Sequence, residues 1–332
     1  MTRAPQIKLL FAFACWTFQM ETVFLLSSVQ RVTSDFGVSQ TSRAFRNRPS
    51  KFIIGGKNVN SRSAWPWQAR IQYRSKETGD FNLCGGTLIS ERHIMTAAHC
   101  TSDIQADPNN IVMMGLVSMH QQDAYKQDFQ FAKVTTHPDY GRPNKFHADI
   151  GIIEMTEPAK FTRAVQTAHL RFDDSQILKR ISEATVTGWG VDDPNEPQKP
   201  SSKLKVAQIP IIPMDTCKRR WDEIASDITV DDGMLCAGGV GEGTGGGDSG
   251  GPLLAYYNET FIQIGITSFG QNDPAGLRNQ KKFPGYTFEH QFRASRSYNF
   301  GQKEIPAKKI RDNVCTHESP NTALSSTTPP AE

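Results

Sequence analysis

Three residues far apart in the chain carry the chemistry that this sequence can perform. Gly245-Gly246-Gly247-Asp248-Ser249-Gly250-Gly251-Pro252 sets a serine in a glycine-rich turn. Such a turn lifts the hydroxyl clear of the backbone. Small neighbours let N–H groups converge on one point, where the oxyanion of a tetrahedral intermediate can be held. Taken alone, the stretch also fits a Gly-rich surface turn with an incidental serine. His99 lies in Ile94-Met95-Thr96-Ala97-Ala98-His99-Cys100, between small alanines and a cysteine. Cys84 and Cys100 bracket a hairpin-like stretch and are candidate partners; a bridge there would hold the imidazole in place. Asp149 directly precedes the apolar Ile150-Gly151-Ile152-Ile153. A carboxylate at the mouth of a buried strand is either a strand-start residue or an orienting acid.

The elements that must position these groups read as short strands. Residues 68–73 alternate apolar and polar, and 84–90, 111–117, 129–136 and 150–155 are further short runs separated by polar or proline-containing turns. The run 184–187 leads into the turn Gly188-Trp189-Gly190, and 203–212 alternates again. Residues 252–257 and 261–269 read as paired strands. Residues 214–224 are the best short helix candidate; Cys217 lies in it and Cys236 in the following strand 234–237, so a bridge between them closes a short loop. Many short strands with turn signals predict an all-β barrel or sandwich.

Composition bounds the alternatives. The 332 residues allow one large or two medium domains, and a net charge of +3 is too small to imply a nucleic-acid partner. Arg3 and Lys8 precede an apolar run over 9–18, with a second run over 22–29. The first run has the length of a signal-peptide core and is too short to span a bilayer. Residues 1–29 are therefore expected to be a signal peptide of a secreted protein, the alternative being a signal anchor at the membrane. Residues 30–52 are basic and irregular, as in a spacer or pro-segment. After residue 292 the strand pattern fails, and 293–332 reads as a divergent tail rich in Ser, Thr and Pro at its end. Of six cysteines, Cys15 would leave with the signal, which gives an odd remainder that includes Cys315. No C-x-x-C pair suggests zinc, so local disulfides in an extracellular chain are the better reading. Asn258-Glu259-Thr260 is a glycosylation sequon.

Ile53-Ile54-Gly55-Gly56, the run 96–100, Asp149-Ile150, residues 187–190, residues 247–252 and residues 265–270 occur in one order that resembles trypsin/chymotrypsin-type serine proteases over residues 53–292. The order His, Asp, Ser separates this resemblance from subtilisins and α/β-hydrolases. It implies two six-stranded antiparallel β-barrels with the site in the cleft between them. The roles that follow are the general triad template of that family. Ser249 corresponds to the nucleophile, His99 to the general base and acid, and Asp149 to the carboxylate that fixes the imidazole. The N–H groups of Gly247 and Ser249 correspond to the oxyanion hole. Asp248 corresponds to the partner of a new amine at Ile53, formed when an activating protease cuts the zymogen. Gly243 corresponds to the base of the substrate pocket, with Ser268, Phe269, Gly270 and Gly285 as walls; an open, uncharged slot suits a large apolar or aromatic side chain. The resemblance implies protein or peptide substrates, a serpin-type or other protein inhibitor, a monomer, and neither cofactor nor metal.

Three departures bear on activity. The family places a bridged cysteine where Gly245 stands, and residues 271–283 hold no partner cysteine either. Loss of such a bridge typically costs ~2–5 kcal/mol unless the loops compensate. Phe52, not Arg or Lys, precedes Ile53, which calls for a chymotrypsin-like activator or self-activation. The family's C-terminal helix is not visible after residue 287. These departures keep open a catalytically inactive homologue that binds or regulates.

Overall fold

The computed structural model describes residues 53–120, 124–171, 174–224, 228–271, 273–280 and 285–288. The expected signal peptide, pro-segment and tail, with Phe52, Cys15 and Cys315, lie outside the described residues.

In the first half, Lys57–Asn58 (β1) precedes six longer strands: Gln68–Arg74 (β2), Phe81–Ser90 (β3), His93–Thr96 (β4), Ile111–Met114 (β5), Gln127–Thr136 (β6) and Gly151–Met155 (β7). Strands β2 to β7 close into an antiparallel barrel in the order β2-β3-β4-β7-β6-β5. Closure removes both sheet edges and leaves one face inward. Ile71, Leu88, Ile94, Met95, Val112, Met114, Ile153 and Met155 fill that interior and are essentially inaccessible.

The second half supplies His169–Leu170 (β8), Glu183–Gly188 (β9), Lys205–Ile212 (β10), Met234–Ala237 (β11), Pro252–Tyr257 (β12), Thr260–Ile266 (β13) and Gly285–Phe288 (β14). They form a sheet in the order β14-β11-β10-β9-β12-β13-β8, with β1 added beside β10. Ile177, Val186, Ile209, Leu253 and Ile264 pack one core of this half, and Ile53 packs with them. A closed six-stranded barrel beside a second sheet is the two-barrel architecture that the resemblance implied. Cross-barrel cohesion comes partly from tryptophans: Trp65, Trp67 and Trp189 share a cluster with Leu254 and Phe261, and Trp65 meets Phe261 edge-on at 4.7 Å.

Four helices occur among the described residues: Ala98–Asp103 (α1), Ser175–Leu178 (α2), Met214–Ile224 (α3) and Pro274–Arg278 (α4). The helix candidate over 214–224 is α3. Helices α1 and α4 are too short to announce themselves by periodicity. Asp273 starts α4 by accepting hydrogen bonds from the N–H groups of Ala275 and Gly276, with Pro274 as the first helical residue. Both expected bridges are present: Cys84–Cys100, with Cα atoms 6.5 Å apart, and Cys217–Cys236, at 6.2 Å. Asn258 sits at the exposed tip of the β12–β13 hairpin, where Asn258 and Glu259 both take positive φ, as a two-residue hairpin loop demands.

Candidate active site

His99 is carried on the first turn of α1, directly after barrel strand β4. The bridge from Cys100 to Cys84 on β3 pins that turn to the barrel. Asp149 stands at the entrance to β7, which pairs with β4, so the ladder that closes the barrel also brings the two residues together. The Asp149 carboxylate is fully buried. It accepts the backbone N–H of His99 on one oxygen and the imidazole Nδ1–H on the other, both at 2.8 Å. The hydroxyl of Ser268 donates to that second oxygen as well. An ionised carboxylate only accepts, so the ring proton is fixed at Nδ1 and the Nε2 lone pair faces outward. Burial alone would lower the imidazole pKa; the charge and hydrogen bond of Asp149 outweigh it and hold His99 above the usual histidine range. Burial likewise works against the Asp149 charge, but His99 and three hydrogen bonds keep its carboxyl below the usual carboxylate range.

Ser249 lies on the turn before β12 and is tied to the first barrel by the N–H of Gly85, which donates to the Ser249 carbonyl at 2.6 Å. Gly247 takes φ +95°, a conformation that a side chain would disfavour. Among the described residues the N–H groups of Gly247 and Ser249 have no hydrogen-bond acceptor, which leaves them available to an oxyanion. His99 and Ser249 line one cavity of about 460 Å³ with Tyr73, Phe81, Leu83, Pro197 and Gly247. No hydrogen bond joins the Ser249 hydroxyl to His99; such bonds are often loose before a substrate is bound. The grouping Cys84, His99 and Cys100 is no metal site, because both sulfurs are spent in a disulfide.

A His–Asp pair that shares a cavity with a serine in a Gly-Asp-Ser-Gly turn coincides with what comparison with known proteins finds. The family model described as Trypsin matches residues 53–288. The chain belongs to the trypsin family. It is 33% identical to a mouse tryptase over 225 residues, which cover 66% of this chain and 79% of the tryptase. It is 31% identical to mouse serine protease 28 over 224 residues, 66% of this chain and 80% of that protein. Limulus clotting factor C from Carcinoscorpius rotundicauda is 32% identical over 260 residues, 72% of this chain but only 24% of the much longer relative.

Within this trypsin-family frame the pocket differs from what the sequence predicts. Gly243 is uncharged, as expected, but it is not bordered by open space. A Cβ at Gly243 would collide with Oε1 of Gln280, whose side chain fills that volume. Ser268, expected as a wall, turns its hydroxyl to Asp149, because a buried carboxylate needs donors. Phe269 stacks on Phe146 at 4.1 Å and 12° and meets Trp221 edge-on at 5.5 Å. Phe146 in turn stands edge-on to His99 at 6.4 Å, so an aromatic wall flanks the imidazole. Gly270 follows Phe269 and is half-buried, and Gly285 pairs with Ala237 between β11 and β14. Glu242 is exposed and lies beside Gly55 and Gly239, away from Gly243.

Neutral contacts stand where the family's bridge would be. At Gly245 a Cβ would lie 2.6 Å from the Val191 carbonyl oxygen, so the backbone has closed into the space that a cysteine needs. Val191 packs with Ile54 and Leu277 of α4 in a small buried cluster. Beside it, the Gln280 amide accepts from the Thr244 N–H at 3.1 Å and donates to the Thr244 carbonyl at 2.5 Å. This two-point link joins the same two segments without sulfur. Nothing in the sequence reading pointed to Gln280, since a lone glutamine in a loop carries no spacing signal.

Asp248 is also buried. It accepts the N–H groups of Gly190 at 2.7 Å and Gly245 at 2.9 Å, and a side chain on Gly190 would collide with it. No cation pairs with it among the described residues, and burial pushes its carboxyl up to about 6, against the effect of those two bonds. Ile53 is fully buried with φ +35°, a region that a β-branched residue rarely adopts.

Proposed function

We propose that the chain is a secreted serine endopeptidase, made as a zymogen, that hydrolyses peptide bonds through an acyl-enzyme. The observation that carries this reading is the His99–Asp149 pair, oriented by three hydrogen bonds and opening onto the cavity that Ser249 shares. In this reading Ser249 attacks the carbonyl, and Nε2 of His99 takes the hydroxyl proton and returns it to the leaving amine. Asp149 balances the imidazolium, and the N–H groups of Gly247 and Ser249 hold the oxyanion. Cleavage before Ile53 frees an amine for Asp248, a buried carboxyl with no cation beside it among the described residues. The absence of a charge at Gly243 itself favours a large apolar or aromatic side chain before the cut over a basic one. Phe52 fits the same preference, so self-activation belongs to the proposal, as do the signal peptide and glycosylation of Asn258. The two disulfides accord with an extracellular site, and a protein inhibitor would occupy the same cleft.

The test is hydrolysis of a peptide panel that differs only in the residue before the cut, using protein sequenced to begin at Ile53 and a Ser249→Ala control. Cleavage after Phe, Tyr or Leu that vanishes in the control is the expected result. Cleavage only after Arg or Lys would overturn the pocket reading. A second reading, a non-catalytic homologue, draws on the missing Ser249–His99 hydrogen bond; an inert panel together with no labelling of Ser249 by a phosphonate would establish it.

A further inference from the structure

Residues 146–149 lead into β7, and three of the four reach across to the second half of the chain. Phe146 stacks on Phe269, and Asp149 accepts from the Ser268 hydroxyl. Between them, His147 meets Asp231, with Nδ1 2.7 Å from a carboxylate oxygen. An ionised carboxylate only accepts, so Nδ1 carries the proton and donates. The triad does not use this second His–Asp pair. Asp231 lies shortly before β11 and is itself held: its other carboxylate oxygen accepts the Gly233 N–H at 2.8 Å, and its carbonyl accepts the Met234 N–H at 3.1 Å. The two side chains are 29% and 22% exposed, so this is not one of the open surface pairs that water and salt weaken most.

The residue between His147 and Asp149 gives this contact its weight. Ala148 is fully buried and takes φ +56°, a region that a residue with a Cβ adopts rarely and only where its surroundings impose it. On one side of it, the Ile150 N–H donates to the Ala148 carbonyl at 2.7 Å. On the other side, the His147 backbone is tied within its own loop: its N–H donates to the Asn144 carbonyl at 2.9 Å, and its carbonyl accepts the Gly141 N–H at 3.0 Å. The His147 side chain carries that hold to a different part of the chain. We propose that His147 is a positioning residue: its bond to Asp231 clasps residues 146–149 to the second half and holds the strained turn at Ala148, which sets the Asp149 carboxylate against Nδ1 of His99. The proposal rests on the reading of Asp149 as the acid that orients His99. It makes the aim of the imidazole depend on the seam between the two halves, not on the first barrel alone.

Two substitutions separate positioning from scaffold. His147→Asn keeps an N–H donor where Nδ1 stands. His147→Leu keeps bulk and removes the donor. In the enzyme beginning at Ile53, His147→Leu should lower kcat by on the order of 10–100-fold, the range of a small misplacement of a catalytic group, with KM changed less than about twofold. His147→Asn should restore kcat to within about threefold of wild type. A readout that needs no catalysis is the proton NMR resonance of the His99 Nδ1–H in the Ser249→Ala protein, which the hydrogen bond to Asp149 carries downfield. It should move upfield in His147→Leu and stay in place in His147→Asn. If the wild-type enzyme cleaves nothing but the resonance responds in this way, the protease reading fails and the clasp stands. Asp231→Ala removes the acceptor instead of the donor and is read in the same way where His147→Leu does not fold. If kcat and the resonance are both unchanged in a His147→Leu protein of native thermal stability, if only KM rises, or if His147→Asn is as slow as His147→Leu, His147 is not a positioning residue and the proposal falls.

Discussion

The two walls of the cleft are held by different means. On the first-barrel side, His99 and Asp149 are locked by charge, by a backbone hydrogen bond and by the Cys84–Cys100 bridge to β3. On the pocket side, the family's bridge is missing, and the Ile54–Val191–Leu277 cluster and the Thr244–Gln280 amide pair stand in its place. The contrast follows from what each wall must do. A proton relay needs a fixed tautomer and a buried counter-charge, for which few residue types serve. A pocket wall needs only shape and an unstrained join, which many combinations of neutral residues provide.

The charged wall should break hardest. Asp149→Asn leaves the shape but gives His99 the wrong partner. Single-turnover acylation is expected to fall about 10⁴-fold, the general size of this change in the triad template, which is drawn from this family. Loss of less than tenfold would show that the pair does not set the rate.

The next effect concerns Asp248 and reads in pH. Its folded-state pKa of about 6 lies above the ordinary value of 3.8, so folding favours the neutral form, which predominates below about pH 6 in the uncut chain. The stabilising contribution is full below about pH 4 and is lost as pH rises through 6. A shift of about two units corresponds to about 3 kcal/mol. Denaturant unfolding of the Ser249→Ala protein, uncut and beginning at Ile53, should therefore diverge between pH 4.5 and 7.5, with the uncut form losing ground. His99 and Asp149 titrate in both forms and cancel in the difference. Parallel curves would mean that Asp248 gains no partner on cutting.

The smallest effect sits where the walls meet. Ser268 belongs to the pocket segment but serves the charged wall through Asp149. Ser268→Ala removes one donor to a buried carboxylate and is expected to cost about 2 kcal/mol, a drop of about thirtyfold in kcat with little change in KM. It should also move the acid limb of the pH–kcat/KM profile, because it changes the charge that faces His99. A rise in KM with kcat unchanged would return Ser268 to the substrate wall.

The same division explains how much could be read from sequence. His99, Asp149 and Ser249 sit in stretches whose composition is set by chemistry, and the bridges at Cys84–Cys100 and Cys217–Cys236 follow from local spacing. The barrel strands show as short apolar runs with turn residues between them. Helix α1 was hidden because six residues make too few turns for periodicity, although it carries His99. Ser268 was read as a wall because its position in the chain does not say which way its side chain turns. Gln280 was invisible because its importance lies in a contact with Thr244 across a loop, and a single amide gives no pattern. The space at Gly243 read as open for the same reason: what fills a glycine's empty side comes from elsewhere in the chain.

If the chain is activated by the proposed cut before Ile53, the burial of Ile53 sets the thermodynamic character of that step. Its side chain already lies fully within the second-half core while the chain is intact. Cutting before it therefore transfers little apolar surface out of water, and little heat-capacity change accompanies it. What changes is electrical and torsional. Rotation at the strained φ of +35° would be released, and an ammonium would become available to a carboxyl that is half-protonated near pH 6. On the zymogen proposal, activation would be closer to a titration than to a folding event: the core is assembled beforehand, and the cut would deliver a single charge to it.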